Sequence, residues 1–181
     1  MKESKKRIVL VSIVTAVIAV VALFAIPWLI IYAGLWLSPD PPKPQTTYGE
    51  FAFELVYTID GEVHTINDAV VCEYDGIAVD EGVGKHNKWK GYLKSSGKEE
   101  LVLYEEGGKR ITCAVGSPEF YMNEPGYYDV YEEHEVVPRL FLYEEHGEIT
   151  SSCVLSDAEA LEYGIVLVSW HFSEPISNKY E

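Results

Sequence analysis

EFAFELVYTIDGEVHTINDAVVCEY, residues 50 to 74, alternates apolar and polar side chains on both sides of the dipeptide Asp60-Gly61. A period of two sends successive side chains to opposite faces of an extended chain, and Asp-Gly between two such runs favours a tight hairpin turn. The stretch therefore predicts two antiparallel strands, 50–59 and 63–74, each with one buried face. Further along, the same alternation broken by Gly-containing turns predicts strands at 89–95, 101–105, 110–115, 139–144, 149–155 and 165–172. The last, IVLVSWHF, is apolar at nearly every position, which predicts a central strand covered on both faces. One short helix is expected at 157–163: Ser156 and Glu159 form an S-x-x-E capping box, and Gly164 suits a left-handed stop. At two turns it depends on packing against the sheet. LVLYEEGGKRITC from Leu101 echoes LFLYEEHGEITSSC from Leu140. Two hairpins meeting the same local demands explain this more simply than a duplicated unit, and two copies are too few for a solenoid or propeller.

Toward the N-terminus, residues 8–37 are thirty positions without a charged side chain. That exceeds the ~20 needed to cross a hydrocarbon core and falls well short of two crossings. Pro27 is expected to kink the helix or end its deeply buried part. Trp28, Tyr32 and Trp36 recur every four residues beyond it, as an interfacial aromatic anchor does. A cleaved signal peptide has an apolar core of about 7–15 residues and a small-x-small cleavage site. Here the run continues past every Ala with no A-x-A before residue 38, so a retained signal-anchor is expected. Lys2, Lys5, Lys6 and Arg7 keep the short end in the cytoplasm under the positive-inside bias, which puts everything after Leu37 outside. Residues 38–47, SPDPPKPQTT, carry four prolines in ten. They read as a stiff stalk of ~3.1 Å per residue that would hold a domain up to ~30 Å from the bilayer. The expected organisation is a cytoplasmic basic stub (1–7), a transmembrane signal-anchor helix (8–37), a Pro-rich stalk (38–47) and an acidic extracytoplasmic domain (48–181). The fold class is mainly β: an antiparallel sandwich or curved sheet with one short helix.

Beyond residue 37 the chain holds 10 of the 14 basic and 28 of the 29 acidic residues, a net charge of −18. Such a domain is repelled by nucleic acid, which is excluded as a partner. Cys72, Cys113 and Cys153 each sit in an apolar alternation, as small core residues would. Being odd in number, they allow at most one internal disulfide, the alternative reading. Their spacings of 41 and 40 residues match no zinc pattern.

Two stretches could carry recognition. With a strand over 88–94, Lys88, Lys90, Tyr92 and Lys94 share one face and Trp89, Gly91 and Leu93 the other. This basic stripe could contact a phosphate-bearing envelope polymer or an acidic partner, although a solvated strand face, where lysines also discourage edge pairing, has the same pattern. The second is FYMNEPGYYDVY, residues 120–131. Its Tyr121, Tyr127, Tyr128 and Tyr131 beside carboxylates would suit a glycan or peptide site, and Tyr equally covers sheets and fills loops. Gly82-Val83-Gly84-Lys85 lacks the upstream Gly and the Ser or Thr of a phosphate loop. The acidic pairs contain no calcium-loop pattern, and the five histidines form no H-E-x-x-H. Neither G-x-S-x-G nor a Cys-His signature is present. No cofactor or metal is expected, and an enzyme is the less favoured reading.

TYGEFAFELVY (47–57), with Ile59-Asp60-Gly61-Glu62, VCEYDG (71–76) and GKHNKWK (84–90), resembles uncharacterised membrane-anchored proteins of Gram-positive anaerobic bacteria. The resemblance covers the anchor and the first half of the outer domain and implies an anchored envelope protein. The expected function is accordingly a cell-envelope binding module, single-pass in the membrane, for a protein or envelope polymer. The alternatives are a carboxylate-dependent envelope hydrolase and an accessory subunit whose helix packs into a membrane complex.

Overall fold

A computed structural model describes residues 2–80, 84–125, 138–146 and 149–181. Among these, the elements in chain order are α1 (Lys2–Leu37), β1 (Tyr48–Ile59), β2 (Glu62–Asp80), β3 (Gly84–Leu93), β4 (Leu101–Glu106), β5 (Lys109–Ala114), α2 (Pro118–Tyr121), β6 (Arg139–His146), β7 (Ile149–Leu155), α3 (Asp157–Glu162) and β8 (Ile165–Phe172). The chain divides into two compact units, Met1–Pro41 with Ile77–His86, and Pro42–Gly76 with Asn87–Glu181.

In the first unit α1 runs unbroken through Pro27. Its segment Val11–Leu37, 27 residues, is long and apolar enough to cross a membrane, at ~1.5 Å per residue about 40 Å of helix. Its side chains face outward, Leu23 and Phe24 each 70% exposed. The end of the helix is closed by Ser38, whose backbone N–H donates to Gly34 O at 3.0 Å and whose Oγ donates to Leu35 O at 2.6 Å.

The second unit is mainly β. Its strands form two four-stranded antiparallel sheets, ordered β3-β2-β1-β8 and β4-β5-β6-β7. The hairpin predicted at Asp60-Gly61 forms: both residues have positive φ, 51° and 82°, as the favoured two-residue turn requires, and Ile59 pairs with Glu62. The two echoing hairpins, β4–β5 and β6–β7, lie side by side in one sheet. Along β1 the alternation is realised directly, with Phe51, Phe53, Leu55 and Tyr57 buried. They join one hydrophobic cluster with Val70 and Cys72 of β2, Trp89 and Leu93 of β3, and Ile111, Cys113, Leu140 and Leu142 of the other sheet. α2, which the sequence analysis does not anticipate, is one turn capped by Ser117 with Pro118 in its first turn; it contributes Phe120 and Tyr121 to that cluster. α3 carries the predicted capping box, Ser156 and Glu159 exchanging backbone and side-chain bonds, and buries Ala160.

Two expectations give way to different findings. β8 is not a central strand: among the described residues it pairs with β1 alone, at the edge of its sheet. Its near-continuous apolarity comes from a bulge. Tyr57 pairs with Leu167 and Val56 with Ser169, which leaves Val168 unopposed. An extra residue reverses the alternation, so Ile165 and Leu167 stand on the core side before the bulge and Trp170 and Phe172 after it. Val166 and Val168 are left outside, 44% and 59% exposed. Second, Cys153 is exposed although it lies opposite Leu142 and two residues from buried Leu155. Among the described residues β7 is also an edge strand of its sheet. The Pro-rich segment is paired with the C-terminal residues over positions 43–46. Lys43 and Glu181 exchange both backbone bonds at 2.8 and 3.0 Å, Gln45 N–H donates to Lys179 O at 2.8 Å, and Asn178 bonds the backbone N–H and C=O of Thr46. Proline lacks only the donor, so such a segment can still pair along one edge.

Leu55 is fully buried in the cluster. Leu55→Ala is therefore expected to cost about 2–5 kcal/mol, read from the urea midpoint of the full chain in detergent, and the exposed Val166→Ala to stay within about 0.5 kcal/mol of the parent.

Candidate functional site

The face of β3 comes first, because the sequence singles it out. The strand alternates as expected: Trp89 and Leu93 are buried at 5% and 2%, while Lys88, Lys90 and Tyr92 turn outward, with Lys94 just past the strand end. The stripe is met by acids on β2 and β1. Lys88 Nζ lies 2.5 Å from Asp75 Oδ2 and Lys94 Nζ 2.5 Å from Glu50 Oε2. The Tyr92 hydroxyl donates to Glu73 Oε1 at 2.9 Å, and Lys90 stands 5.6 Å above the Tyr92 ring. The Lys94 and Lys88 ammonium groups hold the Glu50 and Asp75 carboxyls below the usual carboxylate range. The Tyr48 hydroxyl, donating to Glu50, is pushed up to about 12 by that bond. Exposed pairs of this kind add little stability, but they offset the positive charge an anionic polymer would seek. Beneath the stripe a groove of about 550 Å³ adds the carboxylates of Glu99 and Glu119 to the lining.

Behind this face lies a buried polar clamp. Asn87, 2% exposed, donates from Nδ2 to Pro42 O at 2.9 Å and to Glu124 Oε1 at 2.8 Å, and accepts from the Tyr74 hydroxyl at 3.2 Å. Trp89 Nε1 donates to the other Glu124 oxygen at 2.8 Å. Every polar atom here has a partner, which is what a structural role requires.

Of the aromatic stretch, Tyr121 is in the core at 1% exposure, stacked on Phe51 at 4.7 Å, its hydroxyl donating to Val115 O at 2.8 Å. It is thus removed from any surface, and burial raises the hydroxyl well above the ordinary tyrosine value. Tyr127, Tyr128 and Tyr131 lie outside the described residues. Among the described residues no three His, Cys, Asp or Glu side chains gather where a metal ion could be held.

The surface the sequence analysis missed is on the β8 side. A groove of about 530 Å³ is lined by Leu55, Leu140, Ala160, Leu161, Ile165 and Trp170, among others. Leu161 is 61% exposed at its rim, and Val166 and Val168 continue the apolar surface onto the outer face. From Ile165 to Phe172 β8 carries no acidic, Lys or Arg side chain, whereas α3 alongside it presents Asp157, Glu159 and Glu162. Trp170 Nε1 is buried without an acceptor among the described residues. The signal in the sequence is the same IVLVSWHF run, whose composition fits an interior strand equally well, because a bulge cannot be told from double-sided burial by composition alone.

The thiols separate into two kinds. Burial pushes both Cys72 and Cys113 up to about 12, while Cys153 is exposed. A folded pKa raised above the unfolded ~8.5 means stability is intact below that value and drains away as pH climbs toward the folded pKa. At pH 8 one thiol equivalent, that of Cys153, is expected to react with an aromatic disulfide reagent in the native chain, and three after denaturation. Rapid reaction of three thiols in the folded protein would contradict the buried positions of Cys72 and Cys113. No protein family, curated protein or solved structure matches this chain.

Proposed function

We propose that this chain is a membrane-anchored interaction module, its β body outside the cell as a two-sheet sandwich and its partner contact along β8 and the adjoining groove. Exposed apolar side chains along a 27-residue helix support the anchor, since each buried CH₂ is worth about 0.8 kcal/mol of transfer from water. Lys2, Lys5, Lys6 and Arg7 before the helix, against Lys43 alone in positions 38–57 after it, support the orientation. A single core cluster drawn from both sheets supports the sandwich.

The observation that carries the binding reading is the uncharged edge strand: Val166 and Val168 exposed, beside a groove with Leu161 at its rim. The occupant that suits it is an extended segment of a partner protein, apolar where it enters the groove and flanked by Lys or Arg, because Asp157 lines the groove and the same short helix adds Glu159 and Glu162 to the local negative charge. The bulge at Val168 interrupts the edge, which favours side-chain docking in the groove over a long added strand.

Two tests follow. In intact cells expressing the full chain, a membrane-impermeant maleimide should modify Cys153; labelling only after lysis would reverse the orientation. A photo-crosslinking residue at position 161 or 168 should capture one discrete partner, and Val168→Lys should abolish the adduct formed at 161. Crosslinking from position 90 but from neither 161 nor 168 would move the site to the β3 face.

A further inference from the structure

Hairpins β2–β3 and helix α1 meet at a lysine. Lys85 donates from Nζ to Trp36 O at 3.1 Å, to Ser38 O at 2.7 Å and to Asp40 Oδ1 at 2.9 Å. Its side chain is only 15% exposed. A helix leaves its last carbonyls unpaired, and the ammonium of a Lys at that end also complements the negative pole of the macrodipole. α1 has no basic residue in its own last turn. Ser38 serves Gly34 and Leu35, and Lys85 serves Trp36 from a position far along the chain. Both partners belong to the same compact unit, which joins Met1–Pro41 to Ile77–His86.

The placement has a consequence for the hairpin. Trp36 and Leu37, 81% and 77% exposed, end the apolar run. If α1 is embedded in lipid, its last carbonyls lie in the interfacial layer, roughly 5–7 Å deep on each side of the hydrocarbon. A side chain bonded to the Trp36 carbonyl brings its own backbone to that layer. The nearby described residues of the tip include Ile77 and Ala78, half-buried, and Val79, 55% exposed. Lys85 is balanced by Asp40, so it is no surplus cation for acidic lipids.

We propose that the described strand ends around Lys85, Ile77–Asp80 of β2 and Gly84–Lys85 of β3, form a second membrane contact (the tip contact), seated in the lipid headgroup layer beside the end of α1 and held there by Lys85. It rests on the membrane reading of α1. The surface it fits is a bilayer interface irrespective of lipid charge, with Val79 as an exposed apolar side chain available to it and the Lys85 stem lying along the interface.

The test uses the full chain carrying Cys153→Ser, so that an introduced cysteine is the exposed thiol, reconstituted in phosphatidylcholine vesicles. An environment-sensitive fluorophore on Val79→Cys should be quenched by a nitroxide on the lipid headgroup, and one on Val21→Cys by a nitroxide deep in the acyl chain. Replacing a third of the lipid with phosphatidylglycerol should leave both unchanged. Adding Lys85→Ala should remove most of the quenching at 79 and none at 21, and Lys85→Arg should restore it. Quenching at 21 without quenching at 79 overturns the tip contact while the anchor stands. Absence at both overturns the anchor and the inference with it. Quenching at 79 that survives Lys85→Ala overturns the role given to Lys85.

Discussion

The body of the protein depends on β1 being flanked on both sides while one of its faces is filled. It pairs with β2 along its whole length and with β8 over its second half, so its backbone groups are taken up by neighbours. Phe51, Phe53, Leu55 and Tyr57 then project together into the cluster shared with the second sheet. Burying each such side chain is worth roughly 1.5–3 kcal/mol, and a slip of one residue would turn all four toward water. The Asp60-Gly61 turn prevents that slip at one end. At the same end Gly164, with φ 71°, lies so close to Asp60 that a Cβ would stand 2.2 Å from its carboxylate oxygen, while its carbonyl accepts from Asp60 N–H. The first hairpin and the last strand are thereby tied at one corner.

With β1 in place, the outer surface of its sheet divides by chemistry. Toward β3 it is a lattice of ion pairs and tyrosine–carboxylate bonds, in which Lys88 finds its carboxylate on β2 and Lys94 finds its own on β1. Toward β8 the charges stop and valines appear. Charged edges discourage unwanted strand pairing, and apolar ones invite contact. The functional asymmetry proposed here is this division, set by which strands became neighbours of β1.

The first unit poses a different physical problem. A long apolar helix satisfies its own backbone everywhere except at its ends, where the last carbonyls need donors from outside the helix. Ser38 and Lys85 answer that need with local and distant donors. The clamp of Asn87, Trp89, Tyr74 and Glu124 does comparable work in the second unit, where it fixes Pro42 at the start of the paired segment 43–46.

Local chemistry was enough to read the apolar helix, the Asp60-Gly61 hairpin, most strand positions and the capped helix α3, because each depends on side-chain period, turn preference or a cap within a few residues. The outward placement of Lys88, Lys90 and Tyr92 followed from the same period. What the sequence could not reveal was anything decided by residues far apart in the chain. The acids that neutralise the lysine stripe are 13 and 44 positions away, and Tyr121 is drawn inside by α2 and Phe51. β8 became an edge through sheet order, with a bulge imitating the composition of an interior strand. Those outcomes belong to tertiary structure, since strand order and register determine which side chains meet, and a one-dimensional pattern records only which face each is suited to.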